Sequence, residues 1–341
     1  MKVFELQRMI AFYDRCQHVG IPTVMASLVG LRGSSYRKPG VRMLLGENGA
    51  MQGALSGGCV EKDIFNAAKT VFKTGVARVI SYDGRYRLGC EGFLYILIEP
   101  FELKDEHRII IENTLDSRQS FEIHSIYKPA QDIDGDFGSV FAFAKAKFST
   151  NPNLTTVVSK AEQVFTQRIH PDTQLVIVGA EHDAQKLCEV ASFLGWQVTI
   201  VASLKNPKDK NDFPKAKTIL NETPETIDFS CIDDRTVTVL MTHNFALDFQ
   251  YLLKLMPFEK NYIGVLGSSK RKAQLENQIF DACPEVEPEF LELIHSPAGL
   301  NLGAETPEEI ALSIIAEILS NMKKQTQDKN HNTTELQLNE K

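Results

Sequence analysis

The chain has 341 residues, more than one hydrophobic core usually holds, so we expect two domains and a connecting segment. Its 43% hydrophobic and 24% charged residues are typical of a soluble globular protein, and no apolar run reaches the roughly 18 residues of a membrane-spanning helix. A formal net charge of −7 argues against broad binding to nucleic acid or to an anionic membrane, so we expect neither partner.

The first elements along the chain are an amphipathic helix and a group of strands. Residues 1–20 mix apolar and charged side chains at helical spacing, which indicates a surface helix and not a secretory signal peptide, so we expect a cytoplasmic protein. Strands are predicted over residues 23–29, 42–45, 51–55, 76–82 and 93–99, and a helix over residues 60–74. These elements make a predicted mixed α/β domain over residues 1–103.

Two loops of this domain have a composition that suits an anion. Residues 30–40 combine glycines, serine hydroxyls and three cations, and such groups donate hydrogen bonds to phosphate oxygens. Residues 56–59 lead into the predicted helix, whose N-terminus favours an anion and also the thiolate form of Cys59. The plain structural alternatives are a solvated turn for the first loop and a packed cysteine for the second.

Residues 104–171 give a weaker pattern and are interpreted as a connector. Residues 120–127 and 137–143 predict a strand pair around the acidic turn at residues 132–135. This segment either closes the first domain or bridges to the second, and the sequence leaves both interpretations open.

A second domain is predicted over residues 172–320. The strand at residues 174–178, the following helix and the strand at residues 197–201 form a βαβ unit, the start of a doubly wound parallel sheet. Further buried strands are predicted over residues 236–242 and 262–266, and a closing helix over residues 308–319. Residues 321–341 are polar and are predicted to form a disordered tail.

The first turn of this second domain departs from a dinucleotide site. A working site has G-x-G-x-x-G/A after the first strand, but Glu181 stands at the position of the second glycine. The acidic residue that would hold the ribose at the end of the second strand is also missing, because Ala202 and Ser203 stand there. Binding of NAD(P) is therefore disfavoured.

Two other positions of the second domain favour an anionic ligand. His243 and Asn244 follow a predicted strand, at the sheet edge where doubly wound proteins place their ligands. Ser268, Lys270 and Arg271 lie at a strand-to-helix turn and supply a hydroxyl and two cations. The structural alternatives are a histidine that bonds neighbouring loops and a solvated helix start.

Several segments taken together resemble the XdhC/CoxI family. The resemblance rests on residues 33–43 with 53–61, on residues 88–92 with 97–100, and on residues 241–244, 262–272 and 295–311. It covers residues 1–103 and 173–320. The family usually has Gly-Ala-Gly at the turn that contains Glu181, so this chain departs from the family there too.

The resemblance implies an α/β protein, with an N-terminal mixed α/β XdhC/CoxI domain and a C-terminal Rossmann-like domain with a doubly wound parallel sheet. It implies a maturation factor that binds molybdenum cofactor (molybdopterin), supports its sulfuration and delivers it to an apo-molybdenum hydroxylase of the xanthine dehydrogenase type. A cysteine desulfurase is implied as a second partner, and Cys59 as the thiol that lies near the metal or passes sulfur. The cofactor-binding residues expected on these grounds are Arg32, Ser34, Ser35, Arg37, Lys38, Gly57, Gly58, Cys59, Cys90, His243, Asn244, Ser268, Lys270 and Arg271.

Two other classes of function stay open from the sequence. One is an NAD(P)-dependent oxidoreductase that uses the C-terminal domain, and the other is a partner-binding protein whose loops only stabilise the fold. The chain has no HExxH, Walker or Ser-His-Asp pattern, so a cofactor-binding chaperone is favoured over a turnover enzyme. The six cysteines include no CxxC pair, which argues against a structural zinc site, and a homodimer is the default oligomer.

Overall fold

A computed structural model describes residues 1–35, 37–55, 59–83, 92–155, 162–258 and 262–338, with Cys59 and residues 323–338 described by their backbone alone. The chain divides into two compact units, Met1–Pro171 and Asp172–Lys341, and each is described by itself. The second unit begins at the residue where the sequence predicts the start of the C-terminal domain.

Helices and strands alternate irregularly in the first unit. In chain order its elements are α1 (Val3–His18), β1 (Thr23–Arg32), β2 (Arg42–Gly46), β3 (Met51–Gln52), α2 (Cys59–Thr74), β4 (Ala77–Asp83), β5 (Phe93–Pro100), α3 (Asp105–Asp116), β6 (Phe121–Tyr127), β7 (Ile133–Gly135), β8 (Gly138–Ala142), β9 (Lys147–Ser149) and β10 (Gln163–Ile169). They form two antiparallel sheets, one in the order β3-β2-β1-β5-β4-β7 and one in the order β10-β6-β8-β9.

Strand β1 is buried on both faces, which explains its nearly continuous apolar sequence. Val24 and Ala26 point to one face, where Ile64 and Val71 of α2 cover them at helical spacing. Met25 points to the other face, toward α1 and the second sheet. The first unit is therefore layered as helix, sheet and sheet, with α1 closing one side.

Residues 104–171 belong to the first unit and complete its core. Phe121, Ile123 and Phe141 of the second sheet pack in one apolar cluster with Met25 and Leu44 of the first sheet. Strands β6 and β8 pair antiparallel where the sequence predicts a strand pair. The acidic turn between them differs from the expectation, because it contains β7, which pairs with β4 of the first sheet.

Strands and helices alternate regularly in the second unit. Its elements are β11 (Gln174–Val178), α4 (His182–Phe193), β12 (Gln197–Ala202), β13 (Thr218–Asn221), β14 (Thr236–Leu240), α5 (Phe245–Leu255), β15 (Ile263–Val265), α6 (Ser269–Ala282), α7 (Pro288–Glu292), β16 (Ile294–His295) and α8 (Pro307–Leu338). The strand pairs described are parallel, in the order β13-β12-β11-β14-β15-β16. This is the 3-2-1-4-5-6 order of Rossmann folds, and it confirms the expected fold class.

Helices cover both faces of this parallel sheet. Leu175 and Ile177 of β11 face one apolar cluster, which includes α4 and Ile314 of α8. The alternate residues Val176 and Val178 face a second cluster, which includes helices α5, α6 and α7. Burial on both faces is the reason why β11 is an uninterrupted apolar run.

The closing helix extends further than the sequence predicts. The sequence predicts its end near residue 319 and disorder over residues 321–341, whereas α8 continues to Leu338. Residues 321–341 lack apolar patterning, but they also contain no proline or glycine, so nothing in their composition ends a helix that has already started.

Candidate functional site

The end of β1 is shaped by a glycine that accommodates two tyrosines. The register between β1 and β5 shifts between Leu28 and Gly30, which marks a β-bulge, and Gly30 pairs with Tyr95. A Cβ on Gly30 would lie 2.8 Å from the hydroxyl of Tyr127 and 3.1 Å from the ring of Tyr95. Only a glycine therefore lets both aromatic rings approach this strand without displacement.

These tyrosines line a cavity of about 370 Å³. The ring centroids of Tyr95 and Tyr127 are 6.5 Å apart at an interplanar angle of 41°. The remaining wall is formed by Leu31, Arg32, Pro129 and Gln163. The cavity thus combines aromatic faces, a side-chain amide and the guanidinium group of Arg32.

The hydroxyl of Tyr127 is held by a residue on the neighbouring strand. Gln163 of β10 stands directly opposite Tyr127 of β6, and the tyrosine donates a hydrogen bond of 3.0 Å to its Oε1. Burial raises the pKa of Tyr127, with a further contribution from Tyr95, so the phenol stays protonated. Tyr127 and Gln163 come from the weakly patterned connector, and no spacing in the sequence indicates that they meet.

The predicted cationic loop follows directly after this cavity. Arg32 is the last residue of β1, is exposed and lines the cavity. Arg37 and Lys38 lie further along the loop and are exposed. Ser34 is exposed and Ser35 is half-buried. Of these five predicted residues, the structure brings Arg32 to the cavity wall.

The predicted cysteine site lies mostly outside the described residues. Cys59 is the first residue of α2, as expected for a thiol at a helix N-terminus, and its backbone alone is described. Gly57, Gly58 and Cys90 lie outside the described residues. The expected proximity of Cys59 to Arg37 and Lys38 therefore stays a prediction.

A buried polar chain connects the two sheets of the first unit, and the sequence analysis missed it. Arg42 of β2 donates a hydrogen bond of 3.3 Å to the hydroxyl of Ser125. Ser125 and Ser139 bond to each other at 2.9 Å, and the hydroxyl of Ser139 donates to Glu99 at 2.7 Å. The backbone N–H of Ser139 also donates to Glu99, at 2.8 Å. A cation and a carboxyl group are thus linked across two serines in the interior.

The ends of this chain have shifted protonation equilibria. Burial raises the pKa of Glu99 to about 7, against the opposing effects of the Ser139 hydrogen bonds and of Arg42. Burial lowers the pKa of Arg42 to about 10, while the charge of Glu99 acts in the opposite direction. The carboxyl of Glu99 consequently titrates near neutral pH.

In the second unit, Asn244 has a structural partner. Its side-chain oxygen accepts hydrogen bonds of 3.0 Å from the N–H of Ala246 and 3.3 Å from the N–H of Leu247, which caps α5. His243, just before it, has a φ of 54° and places Nε2 3.8 Å from a carboxylate oxygen of Asp183. Both residues lie at the carboxyl end of β14, as the sequence predicts.

Arg271 also has a structural partner. Its Nη2 lies 2.5 Å from Asp248, whose side chain is only 1% exposed, and Thr242 donates a hydrogen bond of 2.6 Å to the other carboxylate oxygen. Ser268 and Lys270, by contrast, are exposed at the start of α6. The predicted cationic turn thus divides into one cation that neutralises a buried carboxylate and one that faces solvent.

The altered dinucleotide turn is formed by a tight approach of two strands. Gly179 has a φ of 124°, and a Cβ there would lie 2.3 Å from the carbonyl oxygen of Met241. Glu181 immediately precedes α4, and its side chain makes no capping hydrogen bond. Glu181 lines a cleft of about 500 Å³ at the carboxyl ends of the strands.

The described residues contain no candidate for a membrane span or for a clustered metal site. No helix among them is long and apolar enough to cross a membrane. In the same part of the chain, no group of three or more His, Cys, Asp or Glu residues is arranged to hold a metal ion.

Comparison with known proteins gives matches along most of the chain. The model of the XdhC and CoxI family matches residues 16–83, and the model of the XdhC Rossmann domain matches residues 175–318. A Bacillus subtilis (strain 168) protein, named as one of the probable subunits of xanthine dehydrogenase, is 28% identical over 321 residues, which cover 88% of this chain and 93% of that protein. The molybdenum cofactor insertion chaperone PaoD of Escherichia coli (strain K12) is 23% identical over 307 residues, with coverages of 88% and 84%.

A solved structure has a similar overall course. The crystal structure of a Bacillus halodurans protein described as a xanthine dehydrogenase matches with a TM-score of 0.74 and 27% identity, and covers 92% of this chain and 96% of that one. Its match spans both units, as do the matches to the two curated relatives. Because the two family domains occur in order and full-length relatives align with both, this chain belongs to the XdhC and CoxI family.

Proposed function

We propose that this protein binds molybdenum cofactor in its first unit and serves as a maturation factor for a molybdenum hydroxylase of the xanthine dehydrogenase type. The relatives support the role, because one is named as part of a xanthine dehydrogenase and another as a molybdenum cofactor insertion chaperone. The single structural observation on which the proposal depends is the cavity at the end of β1.

The groups around this cavity fit the chemistry of the cofactor. The cofactor has a planar pterin, a phosphate and a dithiolene that holds molybdenum. Tyr95 and Tyr127 offer aromatic faces for the pterin, and Gln163 offers an amide for its polar edge. Arg32 offers a guanidinium for the phosphate, and Lys38 follows in the adjoining loop.

The finer parts of the proposal concern sulfur and delivery. Cys59 is the residue for a soft ligand or a sulfur-passing thiol, since molybdenum and sulfur chemistry favour thiolates and a helix N-terminus lowers a thiol pKa. We assign the supply of sulfur to a cysteine desulfurase partner and the receipt of the cofactor to the apo-hydroxylase. A homodimer is the proposed oligomeric state.

The test is cofactor retention by protein purified from cells that make molybdenum cofactor. Molybdenum is measured by metal analysis and the pterin by fluorescence after oxidation. We expect about one cofactor per chain in the wild type and a loss of about tenfold in affinity for Arg32→Ala, because one charge-assisted contact is removed. Lys270→Ala, which removes an exposed cation of the second unit, is the matched control and should retain the cofactor.

A second measurement tests the thiol. Cys59→Ala should lower hydroxylase activity in cells while the purified variant unfolds at the wild-type temperature. Absence of cofactor from the wild-type protein, together with full hydroxylase activity for Cys59→Ala, would refute the proposed function.

A further inference from the structure

The cleft of the second unit has no role in the proposed function. It occupies about 500 Å³ and is lined by the loops after β11, β12, β13 and β14. In the 3-2-1-4-5-6 strand order, the chain reverses direction between β11 and β14, and ligands of such sheets bind outside the strand ends at this point. Buried Val178, Val201 and Met241 form an apolar floor, and Tyr251 adds an aromatic wall. A cleft of this size accommodates a nucleoside.

The loop after β12 places cations at one end of the cleft. Lys205 and Lys208 both line it, and the described contacts give neither ammonium group a carboxylate partner. The loop itself is fixed, because Asn221 accepts a hydrogen bond of 2.8 Å from the N–H of Lys208 and donates one of 3.1 Å to its carbonyl oxygen. Ser203 accepts a further bond of 3.2 Å from the N–H of Lys205. Two cations are therefore presented on an ordered backbone.

Carboxylates occupy two other sides of the cleft. Glu181 stands at the turn after β11, where a dinucleotide would place its pyrophosphate. Glu222 and Glu225 follow β13, and hydroxyl groups of the same turn bond to both: Thr226 donates to Glu222, and Thr223 bonds to Glu225. Acceptors at the β13 end suit the amino group of a base such as adenine.

The charges are thus the reverse of those in an NAD site. An NAD site has backbone donors for the pyrophosphate and an acidic residue at the end of the second strand for the ribose 2′-hydroxyl. This chain has a carboxylate at the first position and lysines beside the second. A phosphate is therefore repelled at the turn and attracted at the ribose.

We propose that the cleft of the second unit binds adenosine that carries its phosphate on the 2′ side of the ribose, with Lys205 and Lys208 as the phosphate ligands. The 2′-phosphate lies at the β12 loop, and the base lies toward Glu222 and Glu225. Glu181 excludes a 5′-pyrophosphate, so the site differs from an ordinary dinucleotide site in which end of the nucleotide it holds. The 2′-phosphoadenosine group is shared by 2′-AMP and NADP⁺, and 3′-AMP represents the coenzyme A type of phosphate.

Calorimetric titration of the full-length protein tests the proposal. We expect 2′-AMP to bind about tenfold or more tightly than 5′-AMP and 3′-AMP, and NADP⁺ to bind more weakly than 2′-AMP because its pyrophosphate meets Glu181. Lys205→Ala and Lys208→Ala should each weaken 2′-AMP binding by about tenfold. Lys215→Ala, which removes an exposed lysine that does not line the cleft, is the matched control and should leave the affinity unchanged.

A second variant tests the role of the turn. Glu181→Gly should leave 2′-AMP affinity unchanged and strengthen NADP⁺ binding by about tenfold. The Arg32→Ala protein should bind 2′-AMP like the wild type, so failure of this proposal and failure of the proposed function are seen separately. Equal affinity for 2′-AMP and 5′-AMP, or unchanged 2′-AMP affinity in both lysine variants, would overturn the assignment, as would the lack of any 2′-AMP binding at millimolar concentration.

Discussion

Arg271 and Lys270 are adjacent cations with different surroundings. Arg271 neutralises Asp248, which is 1% exposed, whereas Lys270 faces solvent. The sequence predicts that both bind a cofactor anion, because both stand at the start of a helix. The geometry gives Arg271 a structural task that the sequence does not reveal, since Asp248 has the appearance of an ordinary polar residue of a helix.

Removal of the buried partner should therefore cost far more than removal of the exposed one. Arg271→Met should lower the free energy of unfolding by about 3–5 kcal/mol, because it leaves a buried carboxylate without its counter-charge. Lys270→Met should change the same quantity by at most about 0.5 kcal/mol. Urea denaturation measures both, and equal effects of the two substitutions would contradict this assignment.

The buried carboxyl of Glu99 makes stability depend on pH. Its pKa is about 7 in the folded protein against 4.5 in the unfolded chain, so the folded state binds more protons between these values. The stabilising contribution is complete below pH 4.5 and is lost as the pH rises through 7. The amine of Met1, whose pKa burial lowers from 8.0 to about 6, acts in the opposite direction between these two values.

The window from about pH 4.5 to about pH 6 therefore isolates Glu99. Across it, the free energy of unfolding of the wild type should fall relative to Glu99→Gln by about 1–2 kcal/mol, since one pKa unit corresponds to about 1.4 kcal/mol. Denaturant titrations of both proteins at several pH values give the difference curve. A flat difference curve would show that Glu99 has an ordinary pKa.

Elements with strong local patterns were predictable, and those without were not. The buried strands β11, β12 and β14 stand out because they are continuous apolar runs covered on both faces. Strands β13 and β16 have four and two residues, too few for any periodic signal, and they join the sheet through tertiary pairing. The chain Arg42–Ser125–Ser139–Glu99 escaped for a similar reason, because its members come from four strands that meet only in the folded unit.

Helix α5 provides a prediction at the scale of one element. Asn244 accepts hydrogen bonds from two N–H groups of its first turn. Asn244→Ala should lower the free energy of unfolding by about 1 kcal/mol through loss of this cap, and Asn244→Asp should retain most of it. Thermal unfolding followed by circular dichroism measures the difference. If the aspartate variant is as unstable as the alanine variant, the amide acts in some way other than capping.

At the scale of the whole molecule, each unit has apolar clusters of its own. Among the described residues, three clusters lie within Met1–Pro171 and two within Asp172–Lys341. Sequence patterns indicated two domains, but they could not assign residues 104–171, because the packing of Phe121 and Phe141 on the first sheet is a long-range contact. The family resemblance ends near residue 103, whereas the core of the first unit continues beyond it.

Separate expression of the two units tests this division. Fragments 1–171 and 172–338 should each unfold in one cooperative calorimetric transition, since each contains a complete core. Fragment 1–103 should give no such transition, because it lacks the second sheet and leaves Glu99 without Ser139. A cooperative transition for fragment 1–103 would contradict the role given to the second sheet.

The lengths of the outermost strands restrict how copies of this protein associate. Strands β3, β7, β9, β13 and β16 each have four residues or fewer, whereas β10 has seven. An outer strand recruits another chain through its unpaired backbone groups, and a very short one offers few of them. Among the sheets described, continuous backbone pairing between two copies has β10 as its one sizeable template, and any other homodimer must be built from side-chain packing.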